Sequence, residues 1–396
     1  MRAPGKMTWV SATDEKRSYD VIVVGAGVIG LACAWRAAGS GARVLVIDRS
    51  DPAGGTTRVA AGMLAPIGEL RFGEDELLRM TLASAERYPD FVADLERQTG
   101  IETGYRRCGA LHVALDRDEA AELRRQHDLQ RSRGMAAEWL DPRECRRLEP
   151  GLAPSFHGGI HVASEAAVDP RALGAALAAG LAAAGGELRT GADVEALLLD
   201  GGRVDGVRTG DGAEHRAPAV VVATGCWSGS GGWLPEPARP PVRPVKGQIL
   251  ELRGAADKPV SERVVASERV YTVPRPDGRL IVGATVEERG FETTVTAGGV
   301  HELLRESYRL LPDVAELELV EAAAGLRPGT PDNLPIVGPG AVDGLLLATG
   351  HFRNGILLAP LTATAVAAML GGEPTDPLLA AADPARFTSE RAGVPA

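Results

Sequence analysis

The sequence is poor in cysteine: it has four among 396 residues, and no two form a C-x-x-C pair. This spacing argues against a disulfide framework or a metal site and favours a reducing cytoplasm. The sequence also lacks an apolar run long enough to span a bilayer. Residues 1–18 lack the apolar core of a signal peptide, so we expect them to form a disordered polar extension.

The sequence has fewer basic than acidic residues: 43 Lys and Arg against 53 Asp and Glu, which gives a formal net charge of −10. This balance argues against nucleic acid and anionic membranes as partners. The order of Ser, His and Asp does not match an acyl-transfer enzyme, and no clustered His/Cys metal motif is present. A chain of 396 residues suits two domains, and its apolar share of 44% is that of an ordinary globular protein.

A dinucleotide-binding fingerprint occupies residues 19–48. The apolar run Val21–Val24 predicts a strand buried on both faces, and residues 31–38 predict a helix that ends at glycines. The motif G-x-G-x-x-G stands between them, and a second apolar strand, 43–47, leads to Asp48. Strand, glycine turn, helix, strand and acid in this order are typical of a βαβ unit that binds a dinucleotide.

Each residue of the fingerprint has a physical task. Gly25 permits the tight turn, Gly27 lets a pyrophosphate approach the backbone, and Gly30 lets the helix pack on the strand. The helix N-terminus offers unpaired N–H groups to the phosphates. Asp48 accepts hydrogen bonds from a ribose diol and repels a 2′-phosphate, which disfavours NADP. The fingerprint alone leaves FAD and NAD open.

Buried strands return twice later in the chain, at 219–225 and 345–348, and residues 247–286 between them indicate antiparallel strands. This alternation predicts a nucleotide-binding core interrupted by a second domain, with the reactive ring of the cofactor between the two. Four local expectations accompany it: a helix over 74–99 kinked or split at Pro89, a hairpin sheet that includes 187–189, a strand over 318–324 that ends before Arg327, and a closing helix over 356–370.

Four separated segments resemble the glycine oxidase branch of the D-amino acid oxidase family. They are AAGMLAP (60–66), VYTVPRPDGRLIVGATVE (270–287), GLRPGTPDNLPIVGP (325–339) and ATGHFRNGILLAP (348–360). The resemblance implies an α/β plus α+β architecture, in which an FAD-binding Rossmann-like domain of the glutathione-reductase type carries an interleaved antiparallel-sheet substrate domain. The implied limits are 19–88, 158–240 and 321–385 for the FAD domain, 89–157 and 241–320 for the substrate domain, and 386–396 for a tail.

The resemblance also implies a reaction. Glycine, or another small amine or D-amino acid such as sarcosine or D-alanine, is expected to be oxidised by FAD and O2 to the 2-oxo acid, ammonia and hydrogen peroxide. Glycine would give glyoxylate, and the pathway served would be thiamine thiazole synthesis. Relatives are often homotetramers, so a homo-oligomer is expected.

FAD contacts are implied in the phosphate turn, after the second strand, in the following loop and in the C-terminal loop. The matching residues are Gly25, Gly27, Val28, Ile29, Gly30, Asp48, Arg49, Thr56, Thr57, Ala61, Gly62, Met63, Val194, Gly225, Gly350, His351, Phe352, Arg353, Asn354, Gly355, Ile356 and Leu357.

The resemblance names three residues as catalytic and as substrate contacts. Arg327 and Arg353 match contacts to the substrate carboxylate, and Tyr271 matches the active-site tyrosine. Three further substrate contacts are implied: Glu69 in a loop near the amine, Arg269 where some relatives carry a histidine, and Val286 in place of a methionine. The last two are expected to alter the preferred substrate size.

The residue types fit this chemistry. An arginine suits a carboxylate because its planar fork meets both oxygens and stays charged. Two alternatives stay open: Arg353 could equally fix its own glycine-rich loop, and Tyr271 taken alone would be a half-buried tyrosine of a sheet. The N-terminus of the closing helix is expected to face the pyrimidine edge of the flavin, where it would stabilise the reduced ring. His351 is a poor candidate for a base, and no side chain need act as one.

Noncovalent FAD is expected, because sarcosine oxidases of the same superfamily hold flavin through a cysteine in the C-terminal half and no cysteine follows Cys226 here. Three other functions stay open at this point. One is a dehydrogenase of the same fold that passes electrons to a quinone or carrier protein, and one is a non-catalytic FAD-binding subunit. The last, an NAD-dependent dehydrogenase, rests only on the opening fingerprint.

Overall fold

The computed structural model describes residues 19–387, so the predicted N-terminal extension and residues 388–396 of the predicted tail lie outside the described residues. Two large sheets organise the chain. The first has six strands in the order Ile336–Pro339, Leu345–Thr349, Ala219–Val222, Val21–Val24, Val44–Ile47 and Glu187–Arg189. The five strands from Leu345–Thr349 onward are parallel, and Ile336–Pro339 is antiparallel at the edge. Three of the central runs, VIVV, VLVI and AVVV, are buried throughout, as strands covered on both faces must be.

Four helices cover one face of the six-stranded sheet: Val28–Gly39, Asp75–Thr99, Pro170–Ala183 and Ala359–Leu370. Small residues let them approach closely; a Cβ on Gly180 would lie 2.7 Å from Leu95 and 3.1 Å from Trp35. The other face is covered by a three-stranded sheet of Val194–Asp200, Arg203–Thr209 and Glu214–Arg216. This three-layer arrangement makes the six-stranded sheet the rigid base of a nucleotide-binding domain.

The second large sheet has eight strands and is mainly antiparallel. Its order is Glu318–Gly329, Arg243–Arg253, Arg279–Gly283, Tyr271–Pro274, Val264–Ala266, Ala110–Val113, Gly159–Val162 and Glu138–Leu140. Besides short 3₁₀ turns, the remaining elements are the helices Thr56–Val59, Arg117–Ser132, Pro142–Leu148 and Ala297–Leu310, and a two-stranded pair of Met63–Leu64 with Ala166–Ala167. None of the helices between residues 19 and 387 has the length and apolar character needed to cross a bilayer.

The two-sheet architecture confirms the expected fold class, but several local predictions were wrong. Asp75–Thr99 is one helix and is not split at Pro89, because buried neighbours such as Tyr88 and Phe91 hold both halves against the core; the alternative, a kink at Pro89, stays a prediction. Glu187–Arg189 does not join the hairpin sheet; it pairs in parallel with Val44–Ile47. The closing helix begins at Ala359, with Pro360 in its first turn, because residues 352–354 form a separate 3₁₀ turn.

One further correction and one proposal concern the substrate domain. The strand predicted over 318–324 continues to Gly329, so Arg327 lies within it, opposite Val245. The proposed division at 157/158 precedes Gly159–Val162, and that at 320/321 cuts Glu318–Gly329, although both strands belong wholly to the eight-stranded sheet. We therefore propose that these strands belong to the substrate domain. We also propose that the helix Asp75–Thr99, divided at 88/89, belongs to the FAD domain, where it packs.

Candidate active site

A cavity of about 1400 Å³ lies between the carboxyl ends of the parallel strands and one face of the eight-stranded sheet. Val24, Ile47, Ala223 and Thr349, at or just past the ends of four parallel strands, line one side of it. Tyr271 and Arg327, on two strands of the eight-stranded sheet, line the far side. Ligands of open α/β sheets bind at this carboxyl edge, so the cavity joins a nucleotide position to a second, sheet-walled chamber.

The phosphate turn has the geometry expected of the fingerprint. Gly25 has φ 109°, and a Cβ there would lie 2.4 Å from the Ala223 carbonyl oxygen. A Cβ on Gly30 would lie 1.9 Å from the carbonyl oxygen of Gly25. Gly27 ends the turn at the helix N-terminus and offers no capping side chain, while the Val28 N–H donates to Thr57 Oγ1 at 3.0 Å. Backbone therefore faces the cavity where a pyrophosphate would lie.

Asp48 and Arg49 line the nucleotide end of the cavity. The carboxylate of Asp48 accepts from the Ala26 N–H at 2.6 Å and from the Ser50 N–H at 2.8 Å, which ties the second strand to the phosphate turn. The guanidinium of Arg49 lies 4.4 Å from the centre of the Trp227 ring, a cation–π contact. Trp227 also lines the cavity, as do Trp233 and Val194. Sequence reasoning missed both tryptophans because they lie in a Gly- and Pro-rich stretch outside the four resembling segments.

Residues 56–63 form the wall between the two ends of the cavity. Gly62 has φ 77°, and a Cβ there would lie 2.0 Å from the Val168 carbonyl oxygen, so only glycine fits. Thr56 Oγ1 donates to the Leu326 carbonyl at 2.7 Å, which joins this wall to the strand that carries Arg327. Behind the wall, buried Arg275 donates to the Ala61 carbonyl at 2.6 Å, and burial lowers the pKa of its guanidinium to about 10. Arg275 lies within the resembling segment 270–287, but the resemblance gave it no role.

Four residues on neighbouring strands form a row across the floor of the sheet-walled chamber. Gly283 pairs with Tyr271, Tyr271 with Ala266, and Ala266 with His112. Residues directly opposite each other point to the same face, so the tyrosine ring and the imidazole share this floor. Two strand spacings separate them, about 10 Å. The Tyr271 ring lies over Gly283, where there is no Cβ to exclude it.

Arg327 and Tyr271 meet over two glycines. A Cβ on Gly247 would lie 2.3 Å from Arg327 Nη1, and one on Gly283 would lie 2.4 Å from the Tyr271 hydroxyl. Arg327 Nη1 donates to the carbonyls of Thr285 at 3.1 Å and Lys246 at 3.4 Å. Within residues 19–387 no carboxylate lies within 4.0 Å of its guanidinium. A cation held by neutral carbonyls beside a cavity is poised to bind an anion.

The ionisation of Tyr271 reflects the same surroundings. Burial raises the pKa of its phenol, the positive charge of Arg327 opposes that rise, and the charge of Glu69 across the chamber adds to it. The phenol therefore keeps its proton at neutral pH and can donate a hydrogen bond to a carboxylate lying over Arg327.

Arg353 has a partner of its own. Its Nη2 lies 3.6 Å from Glu74 Oε2, and Asn333 donates to the other oxygen of that carboxylate at 3.1 Å. Arg353 lines the cavity in the loop between Gly350, with φ 71°, and the closing helix, and Phe352 beside it also has a positive φ of 46°. The ion pair is the contact expected if Arg353 fixes its loop.

His351 is buried beneath the same loop. Its Nε2 hydrogen-bonds with Thr362 Oγ1 at 2.9 Å, and burial lowers the pKa of the imidazole to about 3. The ring is therefore neutral at physiological pH. Residues 351–357 all line the cavity, whereas the closing helix itself begins at Ala359.

The other predicted substrate contacts lie at the mouth of the chamber. Glu69, Arg269 and Val286 all line the cavity, and Val286 is 70% exposed. The loop of Glu69 is held from below by buried Glu165, whose Oε1 accepts from the Ile67 N–H at 3.2 Å and from the Gly68 N–H. Sequence reasoning missed Glu165, and also His112, because neither stands in a motif.

No cysteine lines the cavity, although all four lie within the described residues. Cys226 comes nearest in sequence, between the lining residues Gly225 and Trp227, but its side chain is buried and burial raises its pKa to about 12. A buried, protonated thiol is a poor nucleophile towards a flavin ring.

Comparison with known proteins agrees with this geometry. The bifunctional protein ThiO/ThiG of Trichormus variabilis is 38% identical over 382 residues, which is 95% of this chain but 56% of the relative, so the chain spans about half the length of that protein. Glycine oxidase of Geobacillus kaustophilus is 35% identical over 356 residues, 88% of this chain and 92% of the relative. The crystal structure of glycine oxidase from Geobacillus kaustophilus superimposes with a TM-score of 0.85 at 34% identity and covers 92% of this chain and 98% of that one.

The family model for FAD-dependent oxidoreductases, DAO, matches residues 20–369 and decides between the two dinucleotides that the opening fingerprint left open. The chain belongs to the DAO family of FAD-dependent oxidoreductases, and FAD is its cofactor.

Proposed function

We propose that this protein catalyses the oxidative deamination of glycine and other small amines or D-amino acids, such as sarcosine and D-alanine, with O2 as electron acceptor. The products are the 2-oxo acid, glyoxylate from glycine, with ammonia and hydrogen peroxide. The observation that carries the proposal is Arg327, whose guanidinium beside Tyr271 has no carboxylate partner within residues 19–387. The similarity to proteins named glycine oxidase supports it.

The backbone and side chains fit an FAD that extends along the whole cavity. Gly25, Gly27 and Gly62 present bare backbone to the cavity, and Asp48 and Arg49 would hold the adenosine end. The loop of residues 351–357 would hold the flavin end. When bound, FAD supplies the hydride acceptor and passes the electrons on to O2.

The chain orients the substrate. Arg327 binds its carboxylate, Tyr271 donates a hydrogen bond to it, and the α-hydrogen is thereby held towards the flavin end of the cavity. A substrate with a neutral amine needs no protein base to lose hydride. His351 is in any case unsuited to act as a general base, because its imidazole is buried against Thr362. The imine product is then hydrolysed by water to the oxo acid and ammonia.

Arg353 was predicted as a second contact to the carboxylate. Its ion pair with Glu74 supports the alternative that it fixes the flavin loop. The variants Arg353→Ala and Glu74→Ala separate the two roles. If Arg353 fixes the flavin loop, both variants should lose FAD more readily than the wild type. If Arg353 binds the substrate carboxylate, only Arg353→Ala should raise the KM for glycine.

Three wider features belong to the proposal. The product is proposed to serve thiamine thiazole synthesis, as the similarity to ThiO/ThiG suggests. A cytoplasmic location is proposed from the cysteine pattern, and a homotetramer from the family resemblance alone. No membrane or nucleic-acid partner is proposed.

The decisive experiment mixes the purified protein anaerobically with glycine, sarcosine, D-alanine or D-proline and follows the flavin absorbance. Bleaching by glycine, and one hydrogen peroxide per turnover after O2 is admitted, are the expected results. Bleaching without peroxide would instead indicate a dehydrogenase that needs a quinone or carrier. A bound flavin that no amine reduces would indicate a non-catalytic subunit.

A further inference from the structure

Arg327 depends on two stretches of backbone for its position. Its Nη1 donates to the Lys246 carbonyl in the strand Arg243–Arg253 and to the Thr285 carbonyl just after the strand Arg279–Gly283. An arginine paired to a carboxylate would be fixed by that charge, but Arg327 has none within the described part of the chain. Its direction therefore follows the relative placement of these two carbonyls.

Lys246 is fully buried, with no exposed side-chain surface. Neighbouring Gly247 faces the Arg327 guanidinium, so the Lys246 side chain projects from the opposite face of the strand. Among residues 19–387 its Nζ has no hydrogen-bond partner, and the nearest carboxylates there are those of Glu287 at 3.5 Å and Glu292 at 3.9 Å. Burying an ammonium group is costly unless a counter-charge is held beside it, so this lysine fixes the location of Glu287.

Glu287 joins the two stretches of backbone. Its Oε1 accepts from Gln248 Nε2 at 2.7 Å and from Thr285 Oγ1 at 2.6 Å. Its N–H donates to the Lys246 carbonyl, and its own carbonyl accepts from the Lys246 N–H, both at 2.9 Å. The same segment carries the Thr285 carbonyl that Arg327 uses and the cavity-lining Val286.

We propose that Lys246 and Glu287 are positioning residues for the substrate-binding arginine: the ion pair between the buried lysine and the partly buried glutamate locks the segment 285–287 against the strand Arg243–Arg253 and so aims the guanidinium of Arg327 at the substrate carboxylate. The identity of the substrate rests on the proposed function, but the aim of the guanidinium does not. The affinity for any small carboxylate that reaches the chamber depends on the direction of the Arg327 guanidinium and can be used to measure it.

The test uses the FAD-loaded protein and acetate, which carries a carboxylate and no amine. Acetate is titrated while the flavin spectrum is followed, and the KM and kcat for glycine are measured separately. Four variants are compared: Glu287→Gln, Lys246→Met, the double variant and Glu288→Gln. Glu288 is the matched control, since it is exposed, follows Glu287 directly and pairs outward with exposed Arg243.

Positioning and simple charge effects predict opposite patterns. Removing the negative charge of Glu287 makes the chamber more positive, and removing the positive charge of Lys246 makes it less so. A pure field effect therefore tightens acetate binding in one variant, weakens it in the other and cancels in the double variant. Loss of positioning weakens acetate binding in all three. We expect the Kd for acetate and the KM for glycine to rise about tenfold in all three, with a much smaller change in kcat, while Glu288→Gln stays within about twofold.

An acetate Kd in Glu287→Gln equal to that of Glu288→Gln would overturn the inference, as would shifts of opposite sign in the two single variants. If Lys246→Met fails to fold, Glu287→Gln and the double variant, which leaves no unpaired buried ammonium, still decide. Wild-type protein that binds acetate but does not oxidise glycine would refute the proposed function and leave the positioning test intact.

Discussion

Gly247 lies directly against the guanidinium of Arg327, so that a Cβ on the glycine would fall 2.3 Å from Nη1 and 2.5 Å from Nη2. The strand is extended there and φ is not positive, so an alanine would be accepted by the backbone. The clash would be relieved by the far end of a flexible side chain. The guanidinium of Arg327 can therefore occupy this position only because residue 247 has no Cβ.

The variant Gly247→Ala should displace the guanidinium without unfolding the protein. We expect the KM for glycine to rise about tenfold, equivalent to ~1.4 kcal/mol of binding, while FAD content and Tm stay near those of the wild type. Steady-state peroxide formation and thermal unfolding measure these. Gly298→Ala is the control, because it adds the same methyl group where nothing lies within 4 Å. Equal KM values for the two variants would contradict the expectation.

Arg327→Ala should remove the carboxylate site itself. Truncating a charged partner of this kind costs about 2–5 kcal/mol, so we expect the KM for glycine to rise at least about thirtyfold while FAD remains bound. Arg327→Lys should fall between Ala and the wild type, because lysine keeps the charge and loses the two-pronged fork. Steady-state kinetics with glycine, together with the flavin absorbance of the purified variants, test both points. Unchanged kinetics in Arg327→Ala would refute the carboxylate role.

The fold and most of the residues that line the cavity could be predicted from the sequence, because they follow from local patterns of apolar residues and glycines or from the resembling segments. The runs VIVV and VLVI could only be buried strands, and the glycines between them constrain one turn. Arg327 and Tyr271 were identified only by resemblance, since an arginine after an apolar strand and a sheet tyrosine are common. They meet because Gly247 and Gly283, on two other strands, leave space for them.

The residues that sequence reasoning did not identify share one feature: each contacts a partner far away in the sequence. Lys246, Glu165 and Arg275 act on the cavity through partners 41, 97 and 214 positions away, at Glu287, Gly68 and Ala61. No local period or spacing encodes such a pair. Pro89 is the converse case, since a strong local signal for a broken helix is overridden by the packing of Tyr88 and Phe91.

The noncovalent state of FAD remains a prediction, supported by the absence of cysteine from the cavity wall. Precipitation of the holoprotein with cold acid should leave all yellow colour in the supernatant. Cys226→Ser should retain a full complement of FAD, because the native thiol is buried. Colour in the acid pellet that disappears in the Cys226→Ser variant would show a thioether to this residue.

His351 should make the protein less stable as the pH falls. The pKa of its imidazole is lowered by burial to about 3, against 6.5 for an ordinary histidine. Above pH 6.5 the His351 imidazole is neutral in both the folded and the unfolded chain, so it does not reduce the free energy of unfolding. Between pH 6.5 and about 3 the unfolded chain binds a proton that the folded chain does not, and stability is lost progressively.

The measurement compares the wild type with His351→Gln, which keeps a side chain able to bond with Thr362 and does not titrate. The depressed pKa corresponds to a loss of about 2 kcal/mol between pH 7 and pH 5 that the variant should not share. Urea unfolding of the holoprotein at both pH values gives the two differences. The pH dependence from every other group cancels between the two proteins, so equal losses would mean that the buried imidazole accepts a proton in the folded state.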